Sequence, residues 1–144
     1  MEVEVENNTL YRNSKIEVRP SSLHGYGVFA NTDIAAGEIL EECHFIKTYH
    51  SGCQFLNEHR FCWPKLHHIE DVNERQSAMK HSAIVLGWGS IFNSVKVKGE
   101  NNADWDTDEV RRLFIFSAVA DIVKGEEILT FYGDHYWACH CMGI

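Results

Sequence analysis

Several residues in this chain could do chemistry by their type and spacing. Cys139-His140-Cys141 lies in the C-terminal stretch, and Cys62 and His67-His68 lie further back. Cysteine and histidine bind zinc, but a structural zinc site takes four protein ligands. The tail supplies three such side chains, and the spacing of Cys62 and the paired histidines fits no zinc pattern, so no metal is expected. Gly25 and Gly27 flank Tyr26. Such a pair forms either an ordinary turn or a place where backbone comes close to a ligand. Asn93 ends the segment Gly87-Trp88-Gly89-Ser90-Ile91-Phe92-Asn93; taken alone it is a cap or turn residue. Tyr132 ends an apolar run, where a core tyrosine is the ordinary reading. Its hydroxyl can both donate and accept a hydrogen bond. Trp137 fits a packed core position equally well.

These residues must be held by short elements. Lys15 to Arg19 alternates and predicts a strand, which Pro20-Ser21-Ser22 ends. The turn His24-Gly25-Tyr26-Gly27 feeds the strand Val28-Phe29-Ala30. Asp33-Ile34-Ala35-Ala36-Gly37-Glu38 is a second turn, followed by a short strand over Ile39-Leu40-Glu41. Residues 50–82 are the least regular, with a short helix expected near Val72 to Met79. Ala83 to Leu86 is apolar and short, and Lys96 to Asn102 reads as a loop. Arg111 to Ile122 predicts a long strand, central because it is apolar on both faces from Leu113 to Ala120. Lys124-Gly125-Glu126 is a turn, and Glu127 to Tyr132 a last strand. Many short strands joined by glycine turns predict a mainly β domain with little helix.

The 144 residues suffice for one domain with its own core and not comfortably for two. An apolar fraction of 44% and an aromatic fraction of 12% fit a folded globule. No internal repeat or low-complexity tract stands out. The net charge of −8 argues against nucleic acid, which is met by a basic stripe, and is compatible with a cationic peptide substrate. The acidic start, Met1 to Asn8, is no signal peptide, and the longest apolar run, Leu113 to Ala120, is too short to cross a bilayer. Reduced cysteines in an intracellular compartment, cytoplasmic or nuclear, are the expectation.

Three segments, in order, resemble the SET-domain family of protein lysine methyltransferases. His24 to Ala30, with Asp33 to Glu38 behind it, resembles the family's opening G-x-G segment. Gly87 to Asn93 resembles the stretch leading into its Asn-His-Ser signature. Asp121 to Gly133 resembles its closing G-E-E-L-x-x-x-Y-G segment. Gly133-Asp134-His135-Tyr136-Trp137 resembles the ending of small stand-alone members from bacteria and viruses. Two departures stand out. The second motif reads Asn93-Ser94-Val95, with serine in place of histidine, and the asparagine that normally follows is best matched by Asn102, after a longer loop.

The resemblance implies a single SET domain over 1–144: a polar lead-in (1–14), a variable insert (50–82) and a short tail (133–144). It implies several short β-sheets with a knot-like C-terminal segment. It implies S-adenosylmethionine as cofactor, bound by His24, Gly25, Tyr26, Gly27, Asn93, Ser94 and Trp137. Tyr132 would be the catalytic tyrosine at the end of a lysine channel that includes Thr130, Phe131 and Tyr49. The substrate would be a protein with a lysine in a basic segment, a histone tail first among them. Neither nucleic acid nor membrane is an expected partner, and a homodimer would complete the substrate groove. Thr130 is smaller than the Phe or Tyr the family often carries there, so transfer is expected to proceed beyond one methyl. Two other readings compete. Ser94 motivates a SET-fold binding module that has lost turnover, and the Cys/His residues motivate a small zinc module.

Overall fold

The computed structural model describes residues 9–48, 60–65 and 82–132. They form ten strands: β1 (Ile16–Pro20), β2 (Tyr26–Ala30), β3 (Ile39–Cys43), β4 (Phe45–Thr48), β5 (Arg60–Cys62), β6 (Ser82–Val85), β7 (Asn93–Val95), β8 (Ala103–Asp108), β9 (Leu113–Ala118) and β10 (Glu127–Phe131), with one 3-10 turn at Gly87–Ser90. The domain is therefore mainly β, in three small sheets ordered β1-β2-β10-β7, β3-β9-β8 and β4-β6-β5. The helix expected near Val72 to Met79 and the knot-like C-terminal segment lie outside the described residues.

The first sheet positions the site. β10 pairs antiparallel with β2 on one side, Ile128 opposite Val28, and parallel with β7 on the other, Leu129 opposite Asn93 and Thr130 opposite Ser94. Asn102 reinforces β10 from outside the sheet. Its amide donates to the Glu127 carbonyl at 2.9 Å, and its Oδ1 accepts from the Leu129 N–H at 2.7 Å.

β9 is central in its sheet, as its two-sided apolar pattern requires. It is shorter than the run Arg111 to Ile122. Arg112 sits at φ 57°, a turn conformation, and the chain bends at Val119 and Ala120. The acidic β8, beside it, is a strand that the sequence pattern does not announce.

Ala30-x-x-Asp33-Ile34-x-x-Gly37-Glu38 recurs as Ala118-x-x-Asp121-Ile122-x-x-Gly125-Glu126. The short internal repeat that composition conceals is plain in the hydrogen bonds. Ile34 and Ile122 exchange backbone bonds at 2.7 and 2.8 Å. Asp33 accepts from the Lys124 N–H and Asp121 from the Ala36 N–H, both at 2.9 Å. The two turns thus satisfy each other's backbone, and together they hold the ends of β2, β3, β9 and β10 in one place.

The core is apolar and aromatic. Phe92, Phe114, Phe116, Leu40, Ile122 and Ile128 are fully buried. Removing each such side chain from water contributes about 1.5–3 kcal/mol. Phe92 stacks on Phe116 at 4.7 Å, which anchors the residue immediately before Asn93 to β9.

Candidate active site

β2, β7 and β10 bring together residues that stand up to 108 positions apart, from His24 to Tyr132. His24, Gly25, Tyr26, Ser90, Ile91, Asn93 and Tyr132 line one crevice of about 200 Å³. Five of these are sequence-predicted site residues. Ser90 and Ile91 were not singled out; nothing in their type marks them, and only their place before Asn93 could have done so.

Asn93 is buried, and its amide orientation is fixed by what surrounds it. Its Nδ2 lies 3.1 Å from the His24 carbonyl, 3.1 Å from the Tyr26 carbonyl and 2.8 Å from Glu127 Oε2. Three acceptors leave only the nitrogen as the atom facing them. Oδ1 is then the end left to accept a bond from elsewhere.

Tyr132 is about one-third exposed and held at two points. Its hydroxyl donates to the Phe92 carbonyl at 2.5 Å, and its backbone N–H donates to Ser94 Oγ at 2.9 Å. Ser94 Oγ in turn donates to the Val95 carbonyl at 2.7 Å. The hydroxyl proton is thereby committed to Phe92, and a phenol oxygen that donates its proton can still accept a hydrogen bond.

The remaining predicted residues stand elsewhere. Gly27 and Ser94 sit behind the crevice wall. A Cβ on Gly27 would lie 2.3 Å from Glu127 Oε2, whereas one on Gly25, at φ +48°, would meet no atom of the described residues within 4 Å. Thr130, on β10 opposite Ser94 of β7, is buried, its hydroxyl 3.4 Å from the Asn93 carbonyl, and Phe131 is half-buried; neither lines the crevice. Tyr49, Trp137, His67, His68, Cys139, His140 and Cys141 lie outside the described residues. Among the described residues no group of three or more metal-binding side chains is gathered, and no helix is long and apolar enough to cross a membrane.

A second, larger crevice of about 320 Å³ is lined by Leu10, Tyr11, Arg12, Glu41 to His44, Leu86 and Gly87. Arg12 Nε donates to Glu41 Oε1 at 2.8 Å, and its guanidinium covers the Trp88 ring at 3.7 Å. Burial, outweighing Arg12, raises the Glu41 carboxyl above its ordinary range. The next residue behaves oppositely: the Arg111 hydrogen bonds lower Glu42. Burial, helped by the Glu41 charge, pushes the Cys43 thiol up to about 12, so Cys43 is a packing residue and not a nucleophile.

A G-x-G turn, an asparagine strand and a closing tyrosine strand thus meet at one crevice within small β-sheets. The family model for the SET domain matches residues 25–133, and the chain belongs to that family. Solved structures share the fold. A Plasmodium falciparum protein described as a candidate histone methyltransferase superposes with a TM-score of 0.62 at 24% identity, over 87% of this chain and 98% of that one. The methyltransferase domain of human PR domain-containing protein 2 gives 0.59 at 16% identity, over 83% and 77%. ATXR5, solved in complex with histone H3.1 mono-methylated on R26, gives 0.56 at 16% identity, over 82% and 56%. No curated protein matches the sequence.

The crevice can be tested against a cofactor of the S-adenosylmethionine kind. Asn93 Oδ1 suits the ammonium of its amino-acid end, and Gly25 leaves backbone open to a bound group. Tyr26, 65% exposed, offers a ring face for a heterocycle or a sulfonium. A volume of about 200 Å³ is below the roughly 300–1,000 Å³ usual for small-molecule sites. These residues therefore fit one end of such a cofactor.

Proposed function

We propose that this SET domain is a protein-lysine N-methyltransferase that uses S-adenosylmethionine, with a histone tail as the leading substrate. The observation that carries the reading is the meeting of Tyr132 and Asn93 at one crevice, with the Tyr132 hydroxyl proton already committed to the Phe92 carbonyl.

When bound, the cofactor would supply an electrophilic methyl group on a positively charged sulfur. The chain's own part is to place a neutral amine in line with it. A lysine ammonium has an ordinary pKa of about 10.4, so it must lose its proton to solvent before its lone pair can attack; the new N–C bond would form as the methyl's bond to sulfur breaks, leaving a neutral thioether. An apolar, water-poor approach disfavours the charged form by desolvation. The Tyr132 oxygen, its own proton turned to Phe92, accepts a hydrogen bond from the neutral amine and holds it in line. Such positioning can contribute several kcal/mol to the rate. Asn93 and the backbone at Gly25 hold the other reactant. The net charge of −8 supports a basic peptide as substrate by raising its local concentration.

The test is transfer of a labelled methyl group from S-adenosylmethionine to histones and to lysate proteins, followed by identification of the modified residue. N-methyllysine is the expected product. Cofactor binding without transfer to any protein would favour the binding-module reading, and no cofactor binding would overturn the proposal.

A further inference from the structure

We propose that Glu127 is the positioning residue that shapes the cofactor crevice, clamping the turn 21–27 to β7 and β10. The proposal rests on the cofactor reading above and gives a role to a residue that does not itself line the crevice.

Both oxygens of this one carboxylate are engaged by neutral donors from different parts of the chain. Oε1 accepts from the Ser21 hydroxyl at 2.7 Å, and Oε2 accepts from the Asn93 amide at 2.8 Å. Ser21 passes the restraint on, since its Oγ accepts from the Leu23 N–H at 3.0 Å while its own N–H donates to the Gly25 carbonyl at 2.8 Å. Asn93 does the same at the other end of the turn, through the carbonyls of His24 and Tyr26 at 3.1 Å each. The carboxylate, together with the His24 and Tyr26 carbonyls, therefore fixes the amide orientation that turns Asn93 Oδ1 away from them, and through Ser21 and Asn93 it restrains the backbone from Ser21 to Tyr26.

Gly27 supplies the independent observation. A Cβ there would stand 2.3 Å from Glu127 Oε2, 2.9 Å from its Cδ and 3.0 Å from Asn93 Nδ2. The far end of a glutamate could usually swing aside, but this one is held by hydrogen bonds on both oxygens. The missing side chain at 27 is thus room for Glu127. The neighbouring acid acts elsewhere, since Glu126 accepts from the Val123 N–H at 3.3 Å, within its own turn. Among the described residues no cation pairs with Glu127. Its two hydrogen bonds are charge-assisted, which makes them stronger than bonds between neutral groups.

The experiment is a double-mutant cycle with Glu127→Ala and Gly27→Ala. Cofactor affinity is measured by calorimetry, and amide exchange at Leu23 and thermal stability are measured without cofactor. Glu127→Ala should raise the Kd for S-adenosylmethionine at least tenfold and accelerate exchange at Leu23. Gly27→Ala should do likewise, and adding it to Glu127→Ala should cost far less than it costs alone, because the closest group it collides with is gone and only the 3.0 Å approach to Asn93 Nδ2 is left. Additive losses, or wild-type affinity in Glu127→Ala, would overturn the proposal. If Glu127→Ala does not fold, Glu127→Gln carries the test: it keeps the length and one acceptor, and should still weaken binding severalfold, with wild-type affinity again overturning the proposal. A wild-type protein that binds no cofactor would instead sink the functional reading, while Leu23 exchange and the coupling in thermal stability still decide whether the clamp exists.

Discussion

Ser94→Ala probes the departure from the family's Asn-His-Ser signature. Ser94 is buried, and its hydroxyl extends the pairing of β7 with β10 past its last backbone partners, Val95 and Phe131. It does so by accepting the Tyr132 N–H at 2.9 Å and donating to the Val95 carbonyl at 2.7 Å. Alanine removes both bonds and strips the Tyr132 N–H of that acceptor. A net loss of about 0.5–1.5 kcal/mol per bond puts the destabilisation at about 1–3 kcal/mol. For a domain of this size that lowers Tm by roughly 3–10 °C. The loosened strand end is the one that carries the Tyr132 phenol. If about 1–2 kcal/mol of the loss is felt in the transition state, kcat falls roughly 5- to 30-fold. Thermal scans and steady-state methyl transfer measure both effects, with Ser94→Thr, which keeps the hydroxyl, as the control. A Ser94→Ala protein with wild-type Tm and kcat would refute the assignment of Ser94 as the hold on Tyr132.

Gly89→Ala should be among the costliest single substitutions outside the site. Its Cβ would lie 2.4 Å from Val85 Cγ1, 2.8 Å from Phe116 Cε2 and 2.9 Å from Cys43 Sγ, all in the core. Overpacking of this kind costs about 1–3 kcal/mol, and a Tm within about 1 °C of wild type would contradict the packing described. Glu41→Gln should flatten the pH dependence of Tm. The raised Glu41 carboxyl binds its proton more tightly when folded, so its contribution is complete below the ordinary value of 4.5 and is lost as pH rises through the folded value. Glu42, shifted the other way, is common to both proteins and cancels in the difference; identical profiles from about pH 4 to 7 would refute the shift. Mass spectrometry of a peptide substrate over time should show more than one methyl added, because Thr130, buried and away from the crevice, brings no phenol to pin the amine; strict arrest at one methyl would show the space filled by another side chain.

Much of the crevice lining was legible because its residues sit in motifs whose backbone demands are local. Gly25 needs a positive φ, Asn93 and Tyr132 end recognisable segments, and all three reach the same crevice. Glu127 was not legible as a site residue. Glu126 reads as part of a turn and Glu127 as the first residue of a strand, and only the cross-chain bonds to Ser21 and Asn93 mark Glu127 out. The central β9 followed from its two apolar faces, but β8 was missed. Asp104, Asp106 and Asp108 are poor strand formers by propensity. They are tolerated on an edge strand, where Lys65 bridges Asp104 at 3.1 Å and the Asp106 and Asp108 carboxylates accept from nearby backbone N–H groups. β4 and β5 flank a stretch with no clear period, and what orders them is pairing with β6, a contact between distant segments.

The most direct measurement is methyl transfer from labelled S-adenosylmethionine by the wild type and Tyr132→Phe in parallel, with cofactor affinity measured on both. The substitution removes one hydroxyl, with its bond to the Phe92 carbonyl, and keeps the ring. The wild type should produce N-methyllysine. Tyr132→Phe should bind cofactor within about threefold of wild type while kcat falls at least about a hundredfold, the pattern of an interaction used in the transition state. Wild-type turnover in Tyr132→Phe, or a loss confined to cofactor binding, would remove Tyr132 from the catalytic role on which the account rests.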